Sequence, residues 1–159
     1  MLNKLESFLQ GAERIVIIGM GNELRADDAI GLELVRLLKS SEGTRLTVFE
    51  GHMTPEVFIG PACTVQPTHL LIVDAAELHE KPGAWRLLFQ EQLQNGLFTT
   101  HAIPATEVVT EIQRRCHVEV AFLGIQPKSR EVSLERSKEC LKVAQEIVEI
   151  IKRIIASSL

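Results

Sequence analysis

The chain of 159 residues contains no tyrosine, a single tryptophan (Trp85), and only 4% aromatic residues. So thin an aromatic supply argues against a nucleic-acid binder that stacks bases on rings. Basic runs are missing too. Its 17 Lys and Arg against 21 Asp and Glu leave a net charge of −4, which disfavours polyanions and anionic membranes as partners. No apolar stretch approaches the ~18 residues that a membrane span requires. The polar, amphipathic start Met1–Gln10 is not followed by a signal-peptide core, so a cytoplasmic location is expected. Cysteine is scarce: Cys63, Cys116 and Cys140 are odd in number, widely spaced and form no CxxC pair. They are expected to be buried structural thiols rather than a disulfide framework or a zinc site. The GxSxG elbow and the HExxH helix are absent, which excludes the serine-hydrolase and zincin readings.

What is present reads as ordinary globular protein, with 45% hydrophobic and 24% charged residues. The length suits one domain spanning 1–159 with one real core, and nothing suggests more than a monomer. Arg14–Met20 is a short apolar, β-branched run, expected as a buried strand that stops at Gly21-Asn22. A helix is expected over Asp27–Lys39, with Ile30, Leu34, Leu37 and Leu38 at helical spacing. Further strands are expected at Arg45–Glu50, His69–Val73, Ala84–Phe89 and His117–Gly124. Pro55 opens a short helix through Ile59, and Gly60–Thr68 reads as loop. Pro104 starts a helix carrying Val108, Val109 and Ile112. Ser133–Ile155 has a long apolar stripe that includes Leu141, and Ser133 is its expected N-cap. The alternation of strands and helices predicts an α/β protein, a three-layer α/β/α sandwich. Right-handed crossovers make the first three strands parallel, and the short link before the fourth lets it run antiparallel.

Ligands of open α/β sheets sit at the carboxyl ends of the parallel strands. Here those ends carry Asn22, Glu23, Asp27 and Asp28 after the first strand and Glu50 and His52 after the second. Asp74 and Glu77 follow the third strand, and Gln126 follows the fifth. His101 lies on a loop that returns to the same rim, and Arg25 is the only basic residue nearby in sequence. Asp27 is equally at home as an acid at a helix N-terminus, and Asp28 less so. Asp74 is harder to dismiss, because it ends four consecutive apolar residues. Carboxylates with an imidazole suit a first-row divalent metal and metal-assisted hydrolysis. Gly19-Met20-Gly21 invites a dinucleotide reading with Glu50 as the ribose acid, but Leu24 takes the third glycine position. Asp27 and Asp28 would also oppose a pyrophosphate.

These residues, taken together, resemble the hydrogenase maturation endopeptidases, closest to their HycI-like branch. The likeness rests on Gly19-Met20-Gly21-Asn22, Asp27-Asp28-Ala29-Ile30-Gly31, Glu50-Gly51 with Pro55-Glu56, and Leu71-Ile72-Val73-Asp74-Ala75. Thr99-Thr100-His101 with Pro104, and Phe122-Leu123-Gly124-Ile125-Gln126-Pro127, complete it. Each motif is weak alone, while their order and spacing are strong together. The resemblance implies a phosphorylase/hydrolase-like α/β/α fold with a mixed, mostly parallel five-stranded sheet. It implies an endopeptidase that removes a C-terminal peptide from a nickel-loaded hydrogenase large-subunit precursor. Its catalytic and metal-contacting positions fall on Asp28, Asp74 and His101, with nickel supplied by the substrate and none held tightly by the free enzyme. Asn22, Asp27, Glu50, His52 and Gln126 are assigned to substrate contact. Many relatives carry Asp-Gly-Gly where this chain has Glu50-Gly51-His52. A non-cleaving, nickel-sensing chaperone for the precursor is the alternative.

Overall fold

The computed structural model describes residues 3–94 and 105–157. Helix α1 (Lys4–Leu9) is closed by a capping box between Asn3 and Glu6, and strand β1 (Ile15–Met20) follows. A 3-10 turn, Ala26–Ala29, leads into α2 (Ile30–Leu38), and β2 spans Leu46–His52. Next come α3 (Ile59–Thr64), β3 (His69–Ala75), β4 (Trp85–Leu88) and α4 (Gln90–Gln94). The chain ends with α5 (Ala105–Cys116), β5 (Glu119–Ile125) and α6 (Lys138–Ala156).

The five strands form one sheet in the order β2-β1-β3-β5-β4, all parallel except β4 at the edge. Each strand feeds both faces, because successive side chains alternate. Ile15 and Ile17 of β1, Leu71 and Val73 of β3, and Leu123 and Ile125 of β5 pack with α1, α2 and α6. The intervening Val16, Ile18, Leu70, Ile72, Val120 and Phe122 pack with α3 and α5 on the opposite face. This is the expected three-layer arrangement. From β1 the chain steps outward to β2, then returns to β3 on the other side of β1. The crevice at the carboxyl ends of β1 and β3 is therefore the switch point where such sheets bind ligands.

Glycine contact sets the depth of that crevice. A Cβ on Gly31 would lie 2.3 Å from the carbonyl oxygen of Val73 and 2.4 Å from that of Met20. A Cβ on Gly19 would lie 2.2 Å from the carbonyl of Gly31. Only glycines let α2 press its first turn onto β1 and β3.

Several expectations are corrected. The segment expected as loop from Gly60 is helical through Thr64, because Pro61 sits in the first turn, where its missing N–H matters least. The last helix starts at Lys138, capped by the Ser137 hydroxyl accepting the Cys140 N–H at 3.2 Å. Ser133 instead pairs by backbone with the β1–α2 loop, and Leu141 is 39% exposed while Val143 fills the buried stripe. Cys63 and Cys116 are not free thiols: they form a disulfide between α3 and α5, with 4.9 Å between Cα atoms. The sequence spacing hides this pair because the two helices meet only on the sheet. Cys140 alone is a free buried thiol, and burial pushes it up to about 11. Among the described residues no helix is long and apolar enough to cross a membrane.

The disulfide spans a sequence separation of 53 residues, a large constraint on the unfolded chain. Replacing both Cys63 and Cys116 by serine should lower the unfolding free energy by about 2–4 kcal/mol. Denaturant titration of wild type with and without reductant should reproduce that loss. Identical midpoints would show that the bond contributes nothing.

Candidate active site

Asp28 and Asp74 occupy the switch-point crevice. Asp28 lies in the 3-10 turn that packs against β3, and it is 6% exposed. Asp74 is fully buried near the end of β3, in register with Gly124 of β5. The Asn22 N–H donates to Asp28 Oδ2 at 3.1 Å, and the Asn22 side-chain oxygen accepts the Leu24 N–H at 2.9 Å. The glycine-rich turn therefore spends a backbone amide on its own carboxylate. That amide is unavailable to a phosphate, which disfavours the dinucleotide reading.

Asp27, next in sequence, points elsewhere. It is 1% exposed, and its two oxygens accept the N–H groups of Ser137 at 2.7 Å and Lys128 at 2.9 Å. Its own N–H donates to the Ser129 carbonyl at 3.0 Å. Burial alone would raise its pKa, but the amides of Ser137 and Lys128 outweigh it and hold the carboxyl below the usual range. Asp27 thus fastens the β5–α6 connection to the rim. Gln126 has a similar employment. Its side-chain oxygen accepts the Leu78 N–H at 2.7 Å, and its amide group donates to Glu77 Oε2 at 3.1 Å. It ties the loop after β3 to the end of β5.

A second cluster stands on the outer rim. Glu23, Glu50 and His52 each bring a ligand atom within 4.8 Å of the others, the one group among the described residues with that geometry for a metal. His52 is exposed and its backbone is left-handed, with φ of 50°. Arg36 already binds both carboxylates there, Nη2 to Glu23 and Nε to Glu50 at 2.7 Å. The hydrogen bond from Arg36 is the main reason the Glu23 carboxyl lies below its usual range. Glu50 and His52 therefore belong to an outer patch in which two carboxylates share the single guanidinium of Arg36.

His101 lies outside the described residues. Arg130 is the site residue that sequence reading missed. Its Nε lies 3.5 Å from Asp28 Oδ1, and its side chain is 30% exposed. Arg130 follows β5, remote in sequence from Asp28, so only the fold brings the two together. The rim is thus less acidic than its local sequence suggests.

Asp27→Asn should place a side-chain NH2 against a backbone N–H and destabilise the protein by about 1–3 kcal/mol at neutral pH. The sign of the pH effect follows from the lowered carboxyl. Its contribution is full above the unfolded value of about 3.9 and is lost as pH falls through the lower folded value. The two proteins should converge in stability in acid. Unfolding curves from pH 2 to 7 measure this, and a constant gap across that range would refute the assignment.

The family model described as hydrogenase maturation protease matches residues 29–155, beginning just past Asp28 and including Asp74. The hydrogenase 3 maturation protease of Escherichia coli K12 is 31% identical over 70% of this chain and 72% of its own length. Among solved structures, a nickel–iron hydrogenase maturation protease HycI from Thermococcus kodakarensis superposes with a TM-score of 0.89 at 26% identity, covering 98% of this chain and 100% of that one. HybD from the same organism gives a TM-score of 0.71 at 25% identity, over 89% and 99% of the two chains.

Proposed function

The chain belongs to the hydrogenase maturation protease family, and on that premise we propose that it removes a C-terminal peptide from the large-subunit precursor of a nickel–iron hydrogenase after nickel is installed. The observation that carries the proposal is the pair of buried carboxylates, Asp28 and Asp74, on adjacent elements at the switch point of the sheet. Hydrolysis of a peptide bond needs a polarised carbonyl and an activated water, and a divalent metal beside carboxylates supplies both. In this reading the nickel is cargo of the precursor. Asp28, Asp74 and His101 contact it from one side, while ligands of the precursor hold it from the other. Three ligands on separate segments leave coordination positions open for a metal already bound by another molecule. Without thiolates they retain nickel weakly on their own. An empty precursor then lacks the central contact and is spared.

Asn22 supports Asp28 through its backbone N–H, and His52, exposed on the outer patch, contacts the precursor without ligating nickel. A cytoplasmic, monomeric enzyme completes the proposal.

Asp28→Asn, Asp74→Asn and His101→Ala should each fold normally by circular dichroism and slow processing by at least about tenfold to a hundredfold. His52→Ala should slow it only a few-fold, roughly 1 kcal/mol or less. A loss at His52 equal to that at His101 would move His52 onto the metal. Nickel dependence is tested by mass spectrometry of purified precursor, with and without nickel, incubated with metal-free enzyme. Release of the C-terminal peptide only from the nickel-loaded precursor is expected. Equal cleavage of the empty form would overturn the checkpoint. No cleavage of either form would favour a non-cleaving chaperone.

A further inference from the structure

Strand β2 is an edge of the sheet, paired only with β1. Along a strand, the backbone N–H and C=O of successive residues point alternately to one side and the other. The Ile15 N–H donates to the Arg45 carbonyl at 2.8 Å, so Arg45, Thr47 and Phe49 face β1, while Leu46, Val48 and Glu50 face outward. Two of the outward groups are already taken. The Leu46 carbonyl accepts the Gly43 N–H at 3.0 Å, and the Val48 N–H donates to Glu42 Oε1 at 2.9 Å. These bonds blunt the first half of the edge, as native proteins usually do. The second half is open. Among the described residues, the Val48 carbonyl and both backbone groups of Glu50 have no hydrogen-bond partner, and Glu50 is exposed.

A cleft of about 380 Å³ runs along this edge. Val35 and Arg36 of α2 line it together with Val48, which packs on the α2 face of the sheet. Phe49 and Phe58 line it from the opposite face, their ring centroids 5.4 Å apart. Because Val48 and Phe49 point to opposite faces, a cleft that touches both straddles the strand edge. The 3-10 turn Pro55–Phe58 that supplies Phe58 also carries Val57, 62% exposed. The cleft thus offers unused main-chain groups between apolar residues on either side.

These features select an extended polypeptide. Main-chain donors and acceptors at strand spacing are matched by another extended main chain, whose alternating side chains fall to the two sides. A second copy of this chain is a poor match. An antiparallel β2–β2 pair centred on the open stretch would set the Glu50 side chains of the two copies directly opposite, and like charges there oppose pairing. The open stretch also ends at the crevice. Glu50 is in register with Gly19, and His52 with Met20, at the carboxyl end of β1. An added strand would lie two strand spacings, about 10 Å, from β1. Roughly three or four extended residues then carry the chain from the edge to the crevice.

We propose that the open half of the β2 edge is where the polypeptide of the precursor docks, adding a strand with apolar residues at alternate positions. The Glu50 N–H donates to a precursor carbonyl, and the Val48 and Glu50 carbonyls accept precursor N–H groups. This deepens the proposed proteolysis by naming how the substrate is held, and it rests on that reading for the identity of the polypeptide.

The test uses the full-length protein and nickel-loaded precursor. Backbone amide exchange is followed residue by residue in Asp28→Asn, the variant expected to hold the precursor with little cutting, and the C-terminal peptide is weighed in the same samples. Saturating precursor should slow exchange of the Glu50 amide by at least about tenfold, while the Phe49 amide, which faces β1, changes little. Glu50→Pro removes the outward N–H and spares the β1–β2 ladder, because edge positions of this kind tolerate proline. It should raise KM by about tenfold or more with a smaller change in kcat, the signature of lost ground-state binding. Glu50→Ala removes the same side chain and its bond to Arg36 but keeps the N–H, and should raise KM less. Protection of Glu50 with undiminished cleavage by Asp28→Asn would fault the role of Asp28 and leave the docking edge standing. No protection at saturating precursor would overturn the docking edge, whatever the variant does to cleavage. Equal KM for the two Glu50 variants would overturn it too. If the proline variant does not fold by circular dichroism, the exchange measurement decides alone. A Glu50 amide protected before precursor is added, in a protein that sediments as a dimer, would give the edge to a second copy and also overturn the proposal.

Discussion

Everything at the crevice depends on a backbone contact that admits no side chain. Gly31 sits where any Cβ would meet the carbonyls of Val73 and Met20 at 2.3 and 2.4 Å, and Gly19 faces it from β1. Because α2 can press that closely onto β1 and β3, the 3-10 turn before it rides low over the strand ends. Asp28 is thereby buried beside the end of β3 without being part of the sheet. A larger residue at either glycine would lift the helix and open the crevice to water, weakening every electrostatic contact inside it. The Gly19-Met20-Gly21 sequence that suggests a nucleotide site is thus explained by packing of helix on sheet.

Adjacent acids then divide the labour. Asp27 and Asp28 differ by one position in a tight turn, so their carboxylates leave the backbone in different directions. Asp27 meets two amide N–H groups and fastens the β5–α6 ledge. Asp28 meets the Asn22 amide and the Arg130 guanidinium at the crevice. Fastening and the charge environment of Asp28 are therefore coupled: the carboxylate that orders the ledge also fixes the loop from which Arg130 reaches Asp28. Loss of Asp27 would displace Arg130 without touching it.

The sheet was legible from the chain because buried parallel strands are written as short runs of β-branched and aliphatic residues, as in Ile15–Met20 and His69–Val73. Asp74 was legible for the same reason, since an acid ending such a run has no solvent to explain it. What failed depended on partners distant in sequence. Ser133 looked like a helix cap because a serine precedes the apolar stripe, yet its backbone is taken by Leu24 and Ala26, so the helix waits for Ser137. Cys63 and Cys116 carry no local signal, since their pairing exists only once α3 and α5 lie on the same face. Arg130 was invisible because charge was judged by neighbours in sequence. Asp27 and Gln126 lie at the strand ends as expected, and what position did not reveal is that both side chains accept backbone N–H groups distant in sequence.

Charge compensation links the two rim clusters. Arg130 lies against Asp28, and Arg36 bridges Glu23 and Glu50. An incoming metal ion at either place competes with a guanidinium for the same oxygens. At the outer patch the bonds are direct and the groups half-exposed, so a free ion must break charge-assisted hydrogen bonds and gains only a solvent-screened attraction. At Asp28 the 3.5 Å ion pair is looser. Under the proposed function, that looser pair leaves Asp28 the easier of the two places for the precursor's metal to reach.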